Sequence, residues 1–174
     1  MVVLVGPMGV GKSTIGKVLA AELNRPFFDT DQLIEERTGA DIGWIFDVEG
    51  EEGFREREHG LLEELVSSKN RSSVIATGGG IVLREDNRAL IQTCELVVYL
   101  RADVEQLIAR TARDKKRPLL QVDDREGQVR KLMAERDPLY REVSNFTVSA
   151  DKRGPKQVAD EIIALIDKRY PSLG

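Results

Sequence analysis

Short apolar runs alternate with longer segments of helical periodicity along this chain of 174 residues. The short runs are rich in β-branched residues, a pattern typical of buried strands. They predict strands at residues 2–5, 27–29, 73–76, 95–100 and 146–148. The longer segments predict helices near residues 12–23, 51–68, 85–92, 103–112, 125–135 and 156–169.

Two of the predicted helices are clearly amphipathic. In the segment that begins at Glu51, apolar side chains share one face while Glu and Arg lie opposite. The apolar positions of this segment are Phe54, Leu61, Leu62, Leu65 and Val66. The last helix repeats the pattern with Val158, Ile162, Leu165 and Ile166.

The alternation of strands and helices predicts an α/β fold. Strands separated by helices need crossover connections, so we expect a mostly parallel sheet covered on both faces. In such sheets ligands bind beyond the carboxyl ends of the strands. Three distinctive segments, residues 6–13, 29–31 and 78–80, each follow a predicted strand. We therefore expect these segments to converge at that edge of the sheet.

A glycine-rich loop follows the first strand. Residues 6–13 read Gly-Pro-Met-Gly-Val-Gly-Lys-Ser, which is the P-loop pattern. Backbone N–H groups of such a loop surround phosphate oxygens, and the helix beginning near Lys12 adds its positive end. Lys12 would reach the β and γ phosphates, and the Ser13 hydroxyl would bind Mg²⁺. The loop predicts nucleoside triphosphate binding; the alternative is a flexible glycine turn with a surface lysine.

Two features that the sequence lacks narrow the class of nucleotide-binding protein. No Asn-Lys-x-Asp motif for guanine follows a later strand, which argues against a GTPase. The third strand runs into Thr77 and three glycines instead of the acidic residue that holds Mg²⁺ in many P-loop ATPases. The metal-organising carboxylate must come from elsewhere, and Asp29 is the best placed.

Asp29 and Asp31 lie two residues apart where the second strand ends. On a continuing strand both would face the space beyond the sheet. One would then serve Mg²⁺ through water, and the other would accept hydrogen bonds from a substrate hydroxyl. The alternative is that either aspartate caps the helix that Gln32 begins.

The overall composition is that of one globular domain. The net charge of −4 argues against a general nucleic-acid coat, which needs an excess of Lys and Arg. No apolar run approaches the roughly 20 residues of a membrane span, and the first residues lack a signal peptide's charged leader. Cys94 is the only cysteine, which favours a reducing compartment. We predict a cytoplasmic monomer that binds neither nucleic acid nor membrane.

Six motifs occur along the chain in a specific order. They are the P-loop at 6–13, Asp-Thr-Asp at 29–31, Gly-Glu-Glu-Gly-Phe-Arg at 50–55, Thr-Gly-Gly-Gly at 77–80, Arg-Pro-Leu-Leu at 117–120 and Arg-Asp-Pro-Leu-Tyr at 136–140. Together they resemble the shikimate kinase family, from Met1 to about Pro155. The P-loop alone is shared by many NTPases, whereas the ordered combination is specific.

The resemblance implies a nucleoside-monophosphate-kinase type of fold, with a five-stranded parallel sheet flanked by helices and a mobile lid. It implies that ATP, with Mg²⁺, phosphorylates shikimate to shikimate 3-phosphate in the chorismate pathway to the aromatic amino acids. One kinase domain would span residues 1–174. Its core would comprise 1–30, 70–111 and 125–170, its substrate-binding helical segment about 31–60 and its lid about 112–124.

The resemblance also implies the acceptor-binding residues. Asp31 would bind the shikimate hydroxyls, including the attacking one. Because the transition state of phosphoryl transfer is loose, we expect Asp31 to orient this hydroxyl first and to accept its proton second. The arginines would hold the carboxylate, and the glycines would let the backbone approach the ring. The acceptor residues would be Asp31, Arg55, Gly78, Gly79, Gly80 and Arg136.

On the nucleotide side, the resemblance places Arg117 in the lid, from which it would swing onto the ATP phosphates and stabilise developing charge. Lys12, Asp31 and Arg117 would then be the catalytic residues, and Ser13 and Asp29 would support the metal. Residues bordering the adenine would be Arg110, Arg153 and Pro155. The full nucleotide set would be Gly9, Val10, Gly11, Lys12, Ser13, Thr14, Arg110, Arg117, Arg153 and Pro155.

Residue patterns alone leave alternatives for these assignments. A guanidinium fork suits a carboxylate, but helical spacing also fits Arg55 as a solvated residue among neighbouring glutamates. Arg136 could instead neutralise the end of a helix that stops before Pro138. The glycines at 78–80 could form a plain turn. The polar segment at 112–127 could be an ordinary solvated loop instead of a lid that excludes water.

The remaining distinctive residues carry no predicted chemistry. His59 lies mid-helix without an obvious partner, and we do not expect it to act as a general base. Cys94 and Trp44 are expected to be packing residues. Two rival functions stay open: another small-molecule kinase that acts on a sugar acid or a nucleotide, and a catalytically silent ATP-binding module.

Overall fold

A single parallel sheet forms the centre of the protein. The computed structural model describes residues 1–67, 72–112 and 118–169, and in this part of the chain five strands pair in the order β2-β3-β1-β4-β5. All four neighbouring pairs are parallel. The strands are β1 (Val2–Val5), β2 (Phe27–Asp29), β3 (Val74–Ala76), β4 (Leu96–Arg101) and β5 (Phe146–Ser149). The predicted α/β class and five-stranded parallel sheet are confirmed.

Helices connect the strands and cover the sheet. They are α1 (Lys12–Glu22), α2 (Thr30–Thr38), α3 (Ile42–Ser67), α4 (Glu85–Gln92), α5 (Val104–Thr111), α6 (Arg125–Val143) and α7 (Pro155–Arg169). Short 3₁₀ turns occur at Ile81–Leu83 and Pro118–Leu120. Among the described helices, none has both the length and the apolar character required to cross a bilayer.

Two hydrophobic cores lie on opposite faces of the sheet. Along β1, Val2 and Leu4 belong to the first core, whereas Val3 and Val5 belong to the second. This division follows from the alternation of side chains along a strand, and both faces are apolar because helices cover both. The first core includes residues of α1 and α7, and the second includes residues of α3 and α4.

Helix α6 passes from one core to the other. It contributes Val129 and Met133 to the first core and Tyr140 and Val143 to the second. The predicted end near residue 135 is wrong, because the helix continues through Pro138 to Val143. An interior proline costs about 3 kcal/mol, and burial of the two side chains beyond it offsets that cost, at roughly 1.5–3 kcal/mol for a large apolar side chain.

Helix α3 is also longer than its sequence pattern predicts. It begins at Ile42, and only the part after Gly50 corresponds to the predicted segment 51–68. Gly50 has φ 74° and ψ 177°, so the helix is broken there, and glycine tolerates this conformation. Trp44 precedes the break and is 53% exposed, so its predicted packing role is wrong. Cys94 packs against the second core, as expected.

Candidate functional site

The three distinctive segments converge at the carboxyl edge of the sheet, where two cavities adjoin. The loop cavity, of about 230 Å³, is lined by P-loop residues together with Asp29, Asp31, Thr77 and Gly79. The arginine cavity, of about 250 Å³, is lined on its polar side by Asp31, Glu35, Arg55, Glu58, Arg136 and residues 78–80. Its apolar side includes Ile42, Phe46 and Phe54. The two cavities share Met8, Asp31 and Gly79.

The P-loop is held tightly between the first strand and α1. Lys12 is only 8% exposed, and its Nζ donates to the carbonyl oxygens of Gly6 at 2.7 Å and Pro7 at 2.8 Å. Gly6 has φ 146°, and a Cβ there would overlap the Leu100 carbonyl oxygen, so only glycine fits. The alternative of a flexible turn with a surface lysine is therefore wrong. The first residues of α1, Lys12 to Thr14, line the loop cavity, and a helix N-terminus favours anions.

Asp29 joins the P-loop to the second strand. Its Oδ2 accepts a hydrogen bond from the Ser13 hydroxyl at 2.5 Å, while its Oδ1 accepts one from the Gln32 N–H at 3.1 Å. Asp29 is thus the N-cap of α2 and also faces Ser13. The strand does not continue to Asp31, because helix α2 begins at Thr30. Asp31 nevertheless lines both cavities from the first turn of that helix.

The Ser13 and Asp29 oxygens fit a magnesium ion that is bound mainly through phosphates and water. Mg²⁺ prefers oxygen ligands and in kinases takes one or two from the protein. Across the described ranges, no group of three or more His, Cys, Asp or Glu side chains could hold a metal ion by itself. The pair therefore suits a metal that arrives with a nucleotide.

At Gly78 and Gly80, side chains that line the arginine cavity approach the backbone closely. A Cβ on Gly78 would lie 2.6 Å from both the Asp31 and the Glu58 carboxylates. A Cβ on Gly80 would overlap the guanidinium of Arg55. These close approaches account for the glycines at 78 and 80, which a plain turn would not require.

Arg55 is held by two glutamates of its own helix. Its guanidinium lies 2.8 Å from Glu58 and 3.0 Å from Glu51, and its side chain is only 11% exposed. The alternative of a solvated surface arginine is therefore wrong. Burial alone would lower the pKa of Arg55, but the pairing with Glu58 and Glu51 outweighs it and the pKa is raised. Arg55 therefore remains a cation in the cavity.

Glu58 is a site residue that the sequence reasoning missed. Its side chain is fully buried, and burial raises its pKa although Arg55 and Arg136 counteract this. The signal is visible in the helical pattern, because Glu58 follows Phe54 by four residues and precedes Leu61 by three. A carboxylate on the apolar face of a helix needs a buried cationic partner.

Arg136 lies on α6 and lines the arginine cavity. It is 4% exposed and lies in the middle of the helix, so the alternative role at a helix end is wrong. Within the described residues, the Nε atoms of Arg55 and Arg136 and Oε1 of Glu58 are buried without a hydrogen-bond partner. A buried polar group without a partner costs about 1–3 kcal/mol, so the arginine cavity favours a polar, anionic ligand.

The predicted adenine-side residues lie further from the cavities. Arg110 donates to the Val10 carbonyl at 3.2 Å and to the Ala150 carbonyl at 3.3 Å, so it braces the P-loop. Arg153 donates to Ser149 at 3.2 Å, and Pro155 begins α7. Among the described lining residues of both cavities, Arg110, Arg153 and Pro155 do not occur. Arg117 lies outside the described residues.

The other predicted nucleotide residues belong to the P-loop. Gly9, Gly11 and Thr14 line the loop cavity, while Val10 is buried in the first core. His59, in contrast, lies away from both cavities but does have a partner, since its Nδ1 is 2.7 Å from the Asn87 side-chain oxygen. The expectation that it lacks one is therefore wrong.

Comparison with known proteins gives a consistent result. The family model for shikimate kinase matches residues 8–167. Shikimate kinase from Chromohalobacter salexigens is 57% identical over 162 residues, which cover 93% of this chain and 89% of that protein. Shikimate kinase from Pseudomonas aeruginosa (strain LESB58) is 54% identical over 169 residues, which cover 97% of each chain.

A solved structure extends the similarity to three dimensions. Shikimate kinase from Acinetobacter baumannii in complex with shikimate aligns with a TM-score of 0.93 and 47% identity. The alignment covers 99% of this chain and 94% of that one. With a family match across nearly the whole sequence and relatives above 50% identity, the chain belongs to the shikimate kinase family.

Proposed function

We propose that the protein transfers the terminal phosphoryl group of ATP to a hydroxyl of shikimate, giving shikimate 3-phosphate and ADP. The observation that carries this proposal is the shared wall of the two cavities. A phosphate-binding loop lies on one side of Met8, Asp31 and Gly79, and two arginines, Arg55 and Arg136, lie on the other. This arrangement would place a bound triphosphate next to a bound hydroxy acid, as direct transfer between them requires.

On the nucleotide side, membership of the family gives ATP as the co-substrate. We infer that Lys12 exchanges its bonds to the Gly6 and Pro7 carbonyls for phosphate oxygens when ATP binds. Mg²⁺ would be held by Ser13 directly and by Asp29 through water. When bound, the ion neutralises charge on the phosphate oxygens.

On the acceptor side, Arg55 and Arg136 would pair with the shikimate carboxylate. The planar fork of each guanidinium can donate two parallel hydrogen bonds to a carboxylate, and charge-assisted bonds of this kind contribute about 1.5–3 kcal/mol each. Glu58 would hold Arg55 in place through their 2.8 Å ion pair. Asp31, at the shared wall, would orient the attacking hydroxyl toward the nucleotide.

The lid and the adenine side complete the proposed site. We propose that Arg117 approaches the phosphates from a lid at about 112–124, and that Arg110, Arg153 and Pro155 border the adenine. The division into a core, a substrate-binding segment at about 31–60 and a lid also remains a proposal. Cytoplasmic location and the monomeric state stay predictions from composition.

A coupled ADP-release assay across several acceptors tests the proposed function. Shikimate, gluconate and AMP would each be offered with ATP and Mg²⁺, with product identified by phosphorus NMR. We expect turnover with shikimate and none with gluconate or AMP. Turnover with gluconate or AMP but not with shikimate would favour another small-molecule kinase. ATP binding without turnover on any acceptor would favour a silent nucleotide-binding module.

A further inference from the structure

Tyr140 is a buried residue that touches both sides of the site, and the proposed mechanism has not used it. Its side chain is 0% exposed, and its hydroxyl donates to the Gly79 carbonyl oxygen at 2.5 Å. Burial raises the pKa of Tyr140, so the phenol keeps its proton at neutral pH and acts as a donor. A buried hydroxyl with one fixed acceptor has a defined orientation.

Tyr140 is also a neighbour of Arg136. The two residues lie four positions apart on α6, so their side chains share one face of the helix. Both line a small cleft that is also lined by the P-loop residues Pro7 and Met8. The charge of Arg136 lowers the pKa of Tyr140 and so acts against the larger effect of burial, as expected for a guanidinium close to the phenol oxygen. Tyr140 therefore lies beside Arg136 and donates to Gly79.

Gly79 is in turn packed on the P-loop. A Cβ at this position would lie 3.2 Å from the Met8 nitrogen, and Gly79 belongs to the wall between the two cavities. Its carbonyl group cannot turn without breaking the bond to Tyr140. The tyrosine is supported from the other side by the Tyr99 ring, whose centre lies 5.1 Å away.

We propose that Tyr140 is a positioning residue for the acceptor: its hydroxyl sets the orientation of Arg136 and fixes the Gly79 peptide. This role rests on the proposed function, because it presumes that Arg136 binds the acid. Without the hydroxyl, the Arg136 guanidinium would keep its charge but lose one of the contacts that define its direction. Preorganisation of a bidentate donor raises affinity because less freedom is lost on binding.

Tyr140→Phe tests this role because it removes the hydroxyl and retains the buried ring. We expect the KM for shikimate to rise about tenfold, with kcat reduced less and the KM for ATP within twofold of wild type. A tenfold change in KM corresponds to the loss of about one charge-assisted hydrogen bond.

Tyr99→Phe is the matched control. Tyr99 is equally buried, and its hydroxyl donates to Asp137 at 2.7 Å outside both cavities. Its KM values should stay unchanged although its thermal stability falls.

A double-mutant cycle shows whether Tyr140 acts through Arg136. In an Arg136→Lys background, adding Tyr140→Phe should change the shikimate KM by less than twofold, since the guanidinium it orients is gone. Multiplicative effects would overturn the proposal. So would a Tyr140→Phe enzyme with wild-type KM, or equal KM increases in both tyrosine variants. A wild-type enzyme that does not phosphorylate shikimate would instead contradict the proposed function itself.

Discussion

Arg55 and Glu58 lie one helical turn apart on α3, and their side chains form a 2.8 Å ion pair directly over the backbone of Gly80. Glu58 is fully buried and the Arg55 side chain is only 11% exposed, so the geometry of the pair depends on close packing against the glycine. Removing one partner of a buried pair is costly, because it leaves the other charge uncompensated. The ion pair and the packing against Gly80 therefore fix the position of the Arg55 guanidinium, and a substitution at Gly80 can displace it.

Gly80→Ala should displace Arg55 without disrupting the fold. The added methyl group would overlap the guanidinium, which is the far end of a flexible side chain and can move. We expect the shikimate KM to rise about tenfold or more, as for the loss of one charge-assisted hydrogen bond. The KM for ATP should not change. Steady-state kinetics with each substrate varied in turn measure both values.

Gly60→Ala is the control for this substitution. Gly60 lies on the same helix, and a Cβ there meets no atom within 4 Å. Replacing an exposed helical glycine with alanine should stabilise the protein by about 0.4–1 kcal/mol and leave both KM values unchanged. If Gly80→Ala behaved like Gly60→Ala, the close approach of Arg55 would have no functional role.

Acceptor affinity should depend on pH through Glu58. Burial holds the pKa of Glu58 above its ordinary value. The stability contribution of its protonated form is full below the unfolded-state pKa and is lost as pH rises through the folded-state pKa. As pH falls through that raised pKa, a negative charge beside Arg55 and Arg136 disappears. The ion pair that holds Arg55 in place is then lost, so the shikimate KM should rise over this range.

A comparison of two glutamine variants isolates the titrating group. Glu58→Gln should flatten the pH profile of the shikimate KM in this range. Glu51→Gln removes the other, more exposed partner of Arg55 and should retain the slope. A slope that persisted in Glu58→Gln would assign the titration to a different group.

Lys12→Ala should lower kcat by about a hundredfold or more, as expected for the loss of a preorganised charge near the transferring group. The lysine is almost buried between the Gly6 and Pro7 carbonyls, so it is already in the loop cavity. Lys17→Ala, on the exposed face of α1, is the control and should retain full turnover. Near-normal kcat in Lys12→Ala would remove this residue from the mechanism.

Substitutions of the two aspartates at the start of α2 should have different effects, one mainly on stability and the other mainly on turnover. Asp29 caps the helix, so Asp29→Ala should reduce the unfolding free energy by about 1 kcal/mol and also raise the Mg²⁺ concentration required. Asp31→Asn should retain the melting temperature and lose most of its turnover. Thermal denaturation of both variants measures the change in stability, and steady-state kinetics measure the change in turnover and in the Mg²⁺ requirement. An equal loss of stability in Asp31→Asn would mean that its main role is structural.

The sequence predicts the parts of the site that depend on local spacing. The P-loop and the aspartates after β2 each lie within a few residues of a strand end, so the parallel sheet alone brings them together. Arg55 and Arg136 could be assigned only through the family resemblance, because helical spacing fits a surface role equally well.

The parts that could not be predicted depend on long-range packing. Glu58 looks like one of many charged residues on its helix until the partners of Arg55 are known. Pro138 is a normal signal for a helix end, and only burial of Tyr140 and Val143 carries α6 beyond it. For the same reason, the hydrogen bond from Tyr140 to Gly79, 61 positions away, has no local signal.

A crystal structure of the protein with ADP, Mg²⁺ and shikimate tests the central claim most directly. We predict that the acid's carboxylate lies between the Arg55 and Arg136 guanidinium groups, with a ring hydroxyl on Asp31 facing the β-phosphate. Shikimate bound outside the arginine cavity, or bound there with its carboxylate toward the P-loop, would contradict it.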